Sequence, residues 1–477
     1  MQRRTRIVAT LGPATDTPDM LDRILAAGVD VVRINFSHGD ADDHLRRIAA
    51  VREAAKRRNQ LVAVMADLPG PKLRVRISAA RELAEGAEIS LGVVANAAAD
   101  LKVTEPEYLA EVLPRHRILL DDGRMQLLAV RRDGDHLIAR VTVGGLLLPN
   151  KGLNLPDTAL GIPAITQRDR EALKAAARAG VDWVALSFVR KASAADELRN
   201  AAAEFGLNAP ILAKIERPEA VEHAEEIVAA FDAVMVARGD LGVEIPLERV
   251  PAVQKRLIQQ ARRAGKPVIT ATDMLDSMRE NPRPTRAEAS DVANAIYDGT
   301  DAVMLSGETA VGKYPVEAVA CMDRIAREVE PQVADDGRYR LDLPIGPIDD
   351  QITQQMCKLA HDIKADAIIT PTYSGRTARL VARHRPAACI VAPAPSEAVA
   401  RRMALIWGVH PVLLESPLPA GADRLEAAIR SSFKANAISE GQLVVVFAGH
   451  PREGGERFPS IRVTRIGPGG QSLEPQT

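Results

Sequence analysis

Short apolar runs alternate with helical segments along most of this chain, and this alternation constrains the fold more than any other feature. Eight strand-plus-helix units can be distinguished, three before residue 69 and five after residue 163. Eight such units would close a (β/α)8 TIM barrel, while a doubly wound open sheet is the alternative that the alternation alone leaves open. The predicted strands are Arg6–Thr10, Val29–Ile34, Leu61–Ala66, Trp183–Ser187, Ile211–Ile215, Ala233–Val236, Val268–Thr272 and Ala302–Leu305.

The residues from 69 to 163 depart from this pattern. They are rich in Val, Leu and Ile, and Asp-Gly pairs at 122–123 and 133–134 mark tight turns, which predicts a small inserted β-barrel domain. A segment rich in Asp, Pro and Gly, from Asp335 to Pro347, predicts a further boundary. We therefore expect an α/β barrel of residues 1–68 and 164–335, an all-β insertion of residues 69–163 and a C-terminal α/β domain of residues 336–477.

Charge and cysteine content exclude several classes of protein. The formal net charge is −1, from 62 basic and 63 acidic residues, so we expect no nucleic-acid partner and no anionic membrane surface. No stretch approaches the roughly 18 apolar residues that a membrane span requires. Cys321, Cys357 and Cys389 lie far apart and form neither a zinc motif nor a disulfide framework, which is typical of a protein of the reducing cytoplasm.

Polar and charged residues collect where the predicted barrel strands end, and the strand ends of a barrel meet at one rim. Lys214 and Glu216 are two apart on one strand, so both side chains point to the same face. Asp240 follows the next strand and offers a second carboxylate. Two carboxylates with open positions suit magnesium or manganese. The alternative is a buried Lys–Glu ion pair that stabilises the barrel.

Three further residues on the same rim suit the binding of an anionic substrate. Arg33 could hold a phosphate through two hydrogen bonds, or could form a surface ion pair. Gly239 would allow the backbone to approach a ligand closely, or could simply form a turn. Thr272 could order a water or relay a proton, or could bond to local backbone. The chain has no GxxxxGK[ST] loop, so a nucleotide would bind without one.

At these residues the sequence resembles the pyruvate kinase family over nearly its whole length. The motifs that carry the resemblance are RINFSHG (33–39), NKGLNLP (150–156), AKIERPE (213–219), MVARGDLGVEIP (235–246), GKPVITATDML (265–275), the run from Asn281 to Pro315 and SGRTARLVARHRP (374–386). The resemblance implies transfer of the phosphoryl group of phosphoenolpyruvate to ADP, giving pyruvate and ATP in glycolysis. It also implies a catalytic barrel, a lid-like insertion, a regulatory C-terminal domain and a homotetramer.

The resemblance also implies roles for individual residues. Lys214 and Arg33 would neutralise the phosphoryl group, Glu216 and Asp240 would bind a divalent metal, and Thr272 would lie where a proton reaches the enolpyruvate. The remaining implied substrate contacts are Ala237, Arg238 and Gly239. The implied nucleotide contacts are Asn35, His38, Arg74 and Lys151. The implied monovalent-cation pocket, or its replacement, comprises Asn35, Ser37, Asp67, Leu68 and Lys72.

The sequence departs from the family pattern at several of these positions. Potassium-dependent members have DTKGPE where this chain runs from Asp67 to Lys72, so Leu68 replaces a threonine and Lys72 replaces a glutamate. Leu68 offers no side-chain oxygen, and the charge of Lys72 could stand in for the ion. We therefore predict an enzyme that needs Mg²⁺, with Mn²⁺ as the alternative metal, and does not require K⁺. Arg168 replaces a lysine near the nucleotide, and Asp273 replaces a common glutamine.

The C-terminal domain contains a candidate effector site. Thr372, Ser374, Gly375, Arg376 and Thr377 resemble the family's phosphate-binding loop and precede a predicted helix, although an N-capped turn without a ligand is the alternative. The loop from Gly449 to Gly455 lacks the tryptophan of forms regulated by fructose bisphosphate. We expect a sugar-phosphate effector. Two rival functions are an aldolase-type barrel enzyme that handles pyruvate, and a catalytically silent sugar-phosphate sensor.

Overall fold

Eight parallel strands close into a barrel in the computed structural model, which describes residues 3–94, 98–335, 346–415, 423–448 and 460–473. Each barrel strand pairs with its neighbours along the chain, and the first pairs with the eighth, which excludes the open sheet. The barrel strands are β1 (Arg6–Thr10), β2 (Val31–Asn35), β3 (Ala63–Asp67), β4 (Trp183–Leu186), β5 (Ile211–Ile215), β6 (Ala233–Ala237), β7 (Val268–Ala271) and β8 (Ala302–Leu305).

Helices surround the barrel, and their ends follow local capping chemistry. The helix Pro18–Ala27 begins after Thr17, whose side chain accepts the backbone N–H of Met20, and it ends at Gly28 with φ 118°. Two short helices, Pro218–Glu222 and Ala224–Ala230, are separated by His223, whose backbone is not helical. The helices of the barrel domain are Pro18–Ala27, Ala41–Arg57, Gln167–Ala179, Ala194–Ala203, Pro218–Glu222, Ala224–Ala230, Arg238–Glu244, Val250–Arg263, Arg286–Asp298, Gly307–Ala310 and Pro315–Asp335.

The insertion is all-β, as predicted, and its sheets share one apolar core. Its main sheet has five antiparallel strands, and two pairs of short strands accompany it. The main sheet consists of Glu88–Gly92, Arg117–Leu120, Met125–Asp133, His136–Val143 and Leu153–Asn154. The short pairs are Val75–Arg76 with Lys102–Val103, and Arg81–Leu83 with Gly145–Leu147. The domain boundaries drawn from the sequence stay a prediction.

The C-terminal domain is built around a six-stranded sheet. Four parallel strands confirm the predicted strand–helix alternation, and two antiparallel strands at one edge were not predicted. In spatial order the strands are Val409–Leu413, Cys389–Ala394, Ala367–Ile369, Leu443–Ala448, Ser460–Ile466 and Ser472–Leu473. The helices are Ile348–Asp362, Arg376–Ala382, Glu397–Arg402 and Arg424–Lys434. Across the described residues, no helix is both long and apolar enough to cross a membrane.

Four aspartates at the N-terminal end of the barrel join neighbouring strands through side-chain bonds. Each lies immediately before an even-numbered strand, and its carboxylate accepts a backbone N–H at the start of the preceding strand. These bonds are Asp30 to Ile7 (2.8 Å), Asp182 to Val64 (2.8 Å), Asp232 to Ile211 (3.0 Å) and Asp301 to Val268 (3.1 Å). Arginines of the C-terminal domain reach two of these aspartates, since Arg401 binds Asp182 and Arg385 binds Asp301. The aspartates therefore link strand pairing to the position of the C-terminal domain.

Candidate active site

Arg33, Asp67 and Lys214 meet at the C-terminal rim of the barrel. The side chain of Asp67 is 1% exposed, accepts a hydrogen bond from Arg33 Nε at 2.6 Å and lies 3.5 Å from the ammonium of Lys214. Arg33 also donates to Thr10 Oγ1 at 3.0 Å. Lys214 and Arg33 lower the pKa of the Asp67 carboxyl by more than its burial raises it. Asp67 therefore stays ionised and orients two cations toward the rim.

Lys214 and Glu216 face the same side of β5, as their spacing predicts. The Lys214 ammonium donates to Ser187 Oγ at 2.8 Å and lies 2.8 Å from Glu216 Oε1. Burial alone would lower the pKa of Lys214, but Asp67 and Glu216 outweigh it and raise this pKa to about 12. Lys214 is therefore charged at neutral pH.

Glu216 is completely buried, yet one of its oxygens lacks a directional partner. Oε2 accepts the backbone N–H of Phe188 at 2.8 Å. Oε1 forms an ion pair with the Lys214 ammonium at 2.8 Å and has no hydrogen-bond partner among the other described residues. Burial raises the pKa of Glu216, Lys214 opposes that shift, and the nearby charge of Asp240 adds to it. A like charge that raises a carboxyl pKa in this way indicates two carboxylates that act on the same site.

Asp240 supplies the second carboxylate from the helix Arg238–Glu244, and its side chain is 28% exposed. Within the described parts of the chain, no three His, Cys, Asp or Glu side chains converge to form a complete metal site. Magnesium commonly binds through one or two carboxylates and takes its other ligands from water and substrate oxygens. Glu216 Oε1, which is paired with Lys214, and the partly exposed Asp240 fit this kind of site.

The backbone after β6 lies beside Thr272. Ala237 ends the strand and is buried, while Gly239 N–H donates to Thr272 Oγ1 at 2.6 Å. The guanidinium of Arg238 binds Asp291 and the carbonyl of Thr272, both at 2.7 Å. The Arg238 side chain therefore fixes the loop after β7. Residues 237–239 then offer a substrate mainly their backbone groups.

Thr272 has an unusual backbone conformation for a β-branched residue. Its φ is 69°, in the left-handed region, and Asp273 follows with φ 54°. The hydroxyl donates to the carbonyl of Ala271 at 2.6 Å while it accepts from Gly239. Strained residues that neighbouring contacts hold in place concentrate at functional sites. Nothing in the structure explains the aspartate at position 273.

A cluster of positive charge surrounds His38. Burial lowers the pKa of His38, and the charges of Arg74, Arg168, Arg33 and Lys72 lower it further. Arg168 donates to the carbonyl of Ser37 at 2.8 Å, and Arg74 donates to the carbonyl of Asn150 at 3.0 Å. This concentration of cations suits a polyphosphate.

Lys151 differs from the other predicted nucleotide contacts because it has a carboxylate partner within the insertion. Its ammonium lies 2.7 Å from Asp121 Oδ1. To bind a phosphate, the Lys151 side chain would have to break its ion pair with Asp121.

The five residues of the predicted cation pocket do not all lie together. Asn35 pairs with Asp67 across neighbouring strands and accepts the N–H of Ser37, and Leu68 is buried beside them. The ammonium of Lys72, however, lies 3.3 Å from Asp240 and 3.9 Å from Asp122. In the described structure its charge is therefore placed at Asp240 and the insertion, not within the pocket.

One rim residue was not selected from the sequence. Ser187 Oγ contacts Lys214 and donates to the carbonyl of Leu68 at 2.8 Å, so it joins β5 to the loop after β3. It ends the predicted fourth strand, and the rule used for the other strand ends would have found it.

The predicted effector loop forms a compact turn. Thr372 Oγ1 accepts the N–H of Gly375 at 3.0 Å, and Gly375 has φ 82°, a conformation that favours glycine. Arg376 pairs with Asp349, while Ser374 is exposed and Thr377 is partly buried. The loop from Gly449 to Gly455 lies outside the described residues.

Comparisons with known proteins agree with this geometry. A family model described as pyruvate kinase, barrel domain, matches residues 2–319, and one described as pyruvate kinase, alpha/beta domain, matches residues 350–463. The pyruvate kinase of Geobacillus stearothermophilus is 46% identical over 461 residues, which cover 94% of this chain and 78% of that protein.

Two further relatives show the same range of similarity. Pyruvate kinase 2 of Synechocystis sp. is 44% identical over 462 residues, covering 94% of this chain and 77% of that protein. The pyruvate kinase of Corynebacterium glutamicum is 44% identical over 457 residues, covering 94% and 95% of the two chains. The barrel-domain model alone spans more than half of the sequence, and the chain therefore belongs to the pyruvate kinase family.

Proposed function

We propose that this chain transfers the phosphoryl group of phosphoenolpyruvate to ADP at the rim formed by Arg33, Asp67, Lys214, Glu216 and Asp240. The observation that supports this assignment best is the buried Asp67, which contacts both Arg33 and Lys214. Phosphoryl transfer asks a protein mainly to position the reactants and to neutralise charge. Two cations fixed by one buried carboxylate meet that demand.

Lys214 and Arg33 act on the phosphoryl group as it moves. Both lie in a site from which water is largely excluded, where a fixed charge acts more strongly than it does in water. Asp67 orients the two side chains, and the hydroxyls of Ser187 and Thr10 hold them from the other side.

The family requires a divalent metal, and we propose that Glu216 and Asp240 bind Mg²⁺, with Mn²⁺ able to replace it. A divalent cation at these carboxylates would neutralise charge on the phosphoryl and enolate oxygens. Glu216 would bind through the oxygen that lacks a hydrogen bond, and Asp240 through its partly exposed carboxylate.

Thr272 serves the second half of the reaction, in which the enolate takes up a proton to become pyruvate. Its hydroxyl is held between the Ala271 carbonyl and the Gly239 N–H, so its direction is fixed. A hydroxyl held in this way can order a water or pass on a proton at the methylene carbon. A silent sensor would not need this arrangement, and the inserted domain does not fit an aldolase.

The main test replaces Lys214 with an uncharged side chain of similar length. Lys214→Met should lower kcat at least about 100-fold, the scale of loss seen when one stabilising group is removed from a transition state. The exposed Lys174 provides the matched control, and Lys174→Met should keep full activity. Equal activities of the two variants would remove Lys214 from the mechanism.

We also propose that the enzyme does not require K⁺. Leu68 brings no oxygen to the pocket, and the charge of Lys72 reaches both Asp240 and the cation cluster around His38. Activity should be complete in buffer free of sodium and potassium, and potassium chloride should add nothing beyond a choline chloride control of equal ionic strength. Activity that appears only with potassium would overturn this proposal while leaving the kinase assignment intact.

Regulation and assembly are the remaining proposals. We propose that a sugar phosphate binds the loop from Thr372 to Thr377 and activates the enzyme, that the chain forms a homotetramer, and that it acts in the cytoplasm. Activity measured with a panel of sugar phosphates, for the wild type and for Arg376→Met, tests the first of these. Sedimentation equilibrium tests the second.

A further inference from the structure

A cleft of about 530 Å³ lies between the barrel and the C-terminal domain, away from the catalytic rim. This volume is typical of sites for small molecules. One wall is apolar and includes Leu207, Met403 and Ile406, and Trp183 lies at its base. Three arginines also line it, Arg199, Arg379 and Arg402. The cleft therefore combines an apolar wall with concentrated positive charge.

Two of these arginines are incompletely satisfied. The Nε atoms of Arg379 and Arg402 are buried and have no hydrogen-bond partner. Arg379 makes only a long bond of 3.4 Å to the carbonyl of Asp232, and Arg402 donates to the carbonyl of Asn208. Among the described residues, neither guanidinium forms an ion pair with a carboxylate. Burial lowers the pKa of both groups, which is the direction expected for charges without full compensation.

Other arginines at the same domain interface each have a carboxylate partner. Arg385 and Arg401 each lie 3.0 Å from a carboxylate, that of Asp301 and that of Asp182 respectively. A buried polar atom without a partner is costly. Arg379 and Arg402 therefore differ from their neighbours in a way that an anion in the cleft would explain.

The charge balance of the cleft indicates the kind of anion. Among the described residues that line it, Asp232 is the one carboxylate, and its Oδ2 already accepts the N–H of Ile211 and contacts Arg199. Arg199 also lies 3.7 Å from Asp196, so Arg379 and Arg402 are the two cations of the described lining that have no ion pair. A phosphomonoester carries about two negative charges at neutral pH. A single carboxylate carries one and matches the cleft less well.

We propose that this cleft is a second anion site, separate from the predicted effector loop, and that it binds a small organic phosphomonoester. The phosphate lies on Arg379 and Arg402, and the carbon skeleton packs on Leu207, Met403 and Ile406. Arg379 belongs to the helix Arg376–Ala382, which follows the effector loop directly, and Ser374 of that loop borders the cleft. A ligand in the cleft therefore contacts the helix that directly follows the effector loop.

Titration calorimetry of the full chain with phenyl phosphate tests this site, since the probe combines a dianion with an apolar ring. Phenyl phosphate should bind at least tenfold more tightly than inorganic phosphate, and phenol should not bind. Arg379→Met combined with Arg402→Met should weaken binding at least tenfold, whereas Arg376→Met, which changes the effector loop, should leave it unaltered.

A second variant guards against misfolding of the double mutant. Ala203 is exposed at the edge of the cleft, so Ala203→Phe should block the apolar wall while both arginines stay in place. This variant should also lose phenyl phosphate binding. Absence of saturable binding to the wild type would overturn the proposal. If Arg376→Met loses binding and the double variant keeps it, the probe binds at the effector loop, and this result would also overturn the proposal.

Discussion

Two ion pairs of equal length allow the effect of burial to be measured within this one chain. Arg385 Nη1 lies 3.0 Å from Asp301, and the two side chains are 1% and 6% exposed. Arg57 Nη2 lies 3.0 Å from Asp22, and these side chains are 49% and 36% exposed. Substitution of arginine by methionine therefore removes an ion pair of the same length in a buried and in an exposed environment.

The buried pair should matter far more than the exposed one. Arg385→Met leaves the Asp301 carboxylate without its cationic partner, and breaking such a pair costs about 3–5 kcal/mol. It also removes the bond from Arg385 to the Gly299 carbonyl and the stacking of its guanidinium 4.7 Å from the Trp407 ring. Arg57→Met should cost less than about 1 kcal/mol, because water already screens the exposed pair.

Urea unfolding followed by tryptophan fluorescence provides the assay, with Trp183→Phe as the common background so that Trp407 is the remaining reporter. A chain of several domains need not unfold in two states, so the comparison uses the midpoint of the transition that Trp407 reports. Adding Asp301→Asn to Arg385→Met should recover part of the loss, because it removes the unpaired charge. Equal midpoint shifts for Arg385→Met and Arg57→Met would refute the reasoning.

Three other predictions follow from single groups. Thr272→Ser should retain most of kcat and Thr272→Val should lose at least about tenfold, because only serine keeps the hydroxyl between Ala271 and Gly239; equal loss in both would indicate that backbone strain matters more. Burial and nearby arginines lower the pKa of His384 from 6.5 to about 4 in the folded chain. Above pH 6.5 the imidazole is neutral in the folded and unfolded states; as the pH falls from 6.5 toward 4, the unfolded chain takes up the proton first, so the folded chain loses stability. The wild type should therefore lose about 2 kcal/mol more than His384→Gln between pH 7 and pH 5, and parallel urea midpoints would contradict this. Burial raises the pKa of all three thiols, so mass spectrometry should show little alkylation by iodoacetamide before unfolding, and rapid native labelling would contradict the burial.

The barrel could be predicted from the sequence because its strands are buried on both faces. Such strands read as unbroken apolar runs, and β1, β5 and β8 were predicted with both bounds correct. The strands β2 and β3 each begin two residues later than predicted, and the side-chain bonds that join the strand starts were not predicted. Asp30 accepts the N–H of Ile7 before β2 begins, and an apolar pattern carries no information about this bond.

The gathering of rim residues could be predicted for the same reason, since parallel strands place their C-terminal ends together. The ion-pair partner of each charged side chain could not be predicted. Lys72 follows a turn, and nothing in its spacing indicated that its ammonium would lie 3.3 Å from Asp240 instead of beside Asp67. The two antiparallel edge strands of the C-terminal sheet were not predicted, although the alternation of polar and apolar residues in Ser460–Ile466 is typical of a strand with one exposed face; Ser472–Leu473 is too short to show a pattern.

The most direct test of the account is the stoichiometry of the reaction itself. The full chain, incubated with phosphoenolpyruvate, ADP and Mg²⁺, should form pyruvate and ATP in equal amounts, and chelation of the metal should stop both. Arg33→Met and Lys214→Met should lose both products together, because the two cations act on one phosphoryl group. Pyruvate released without ATP, or no product at all under any of these conditions, would contradict the central claim.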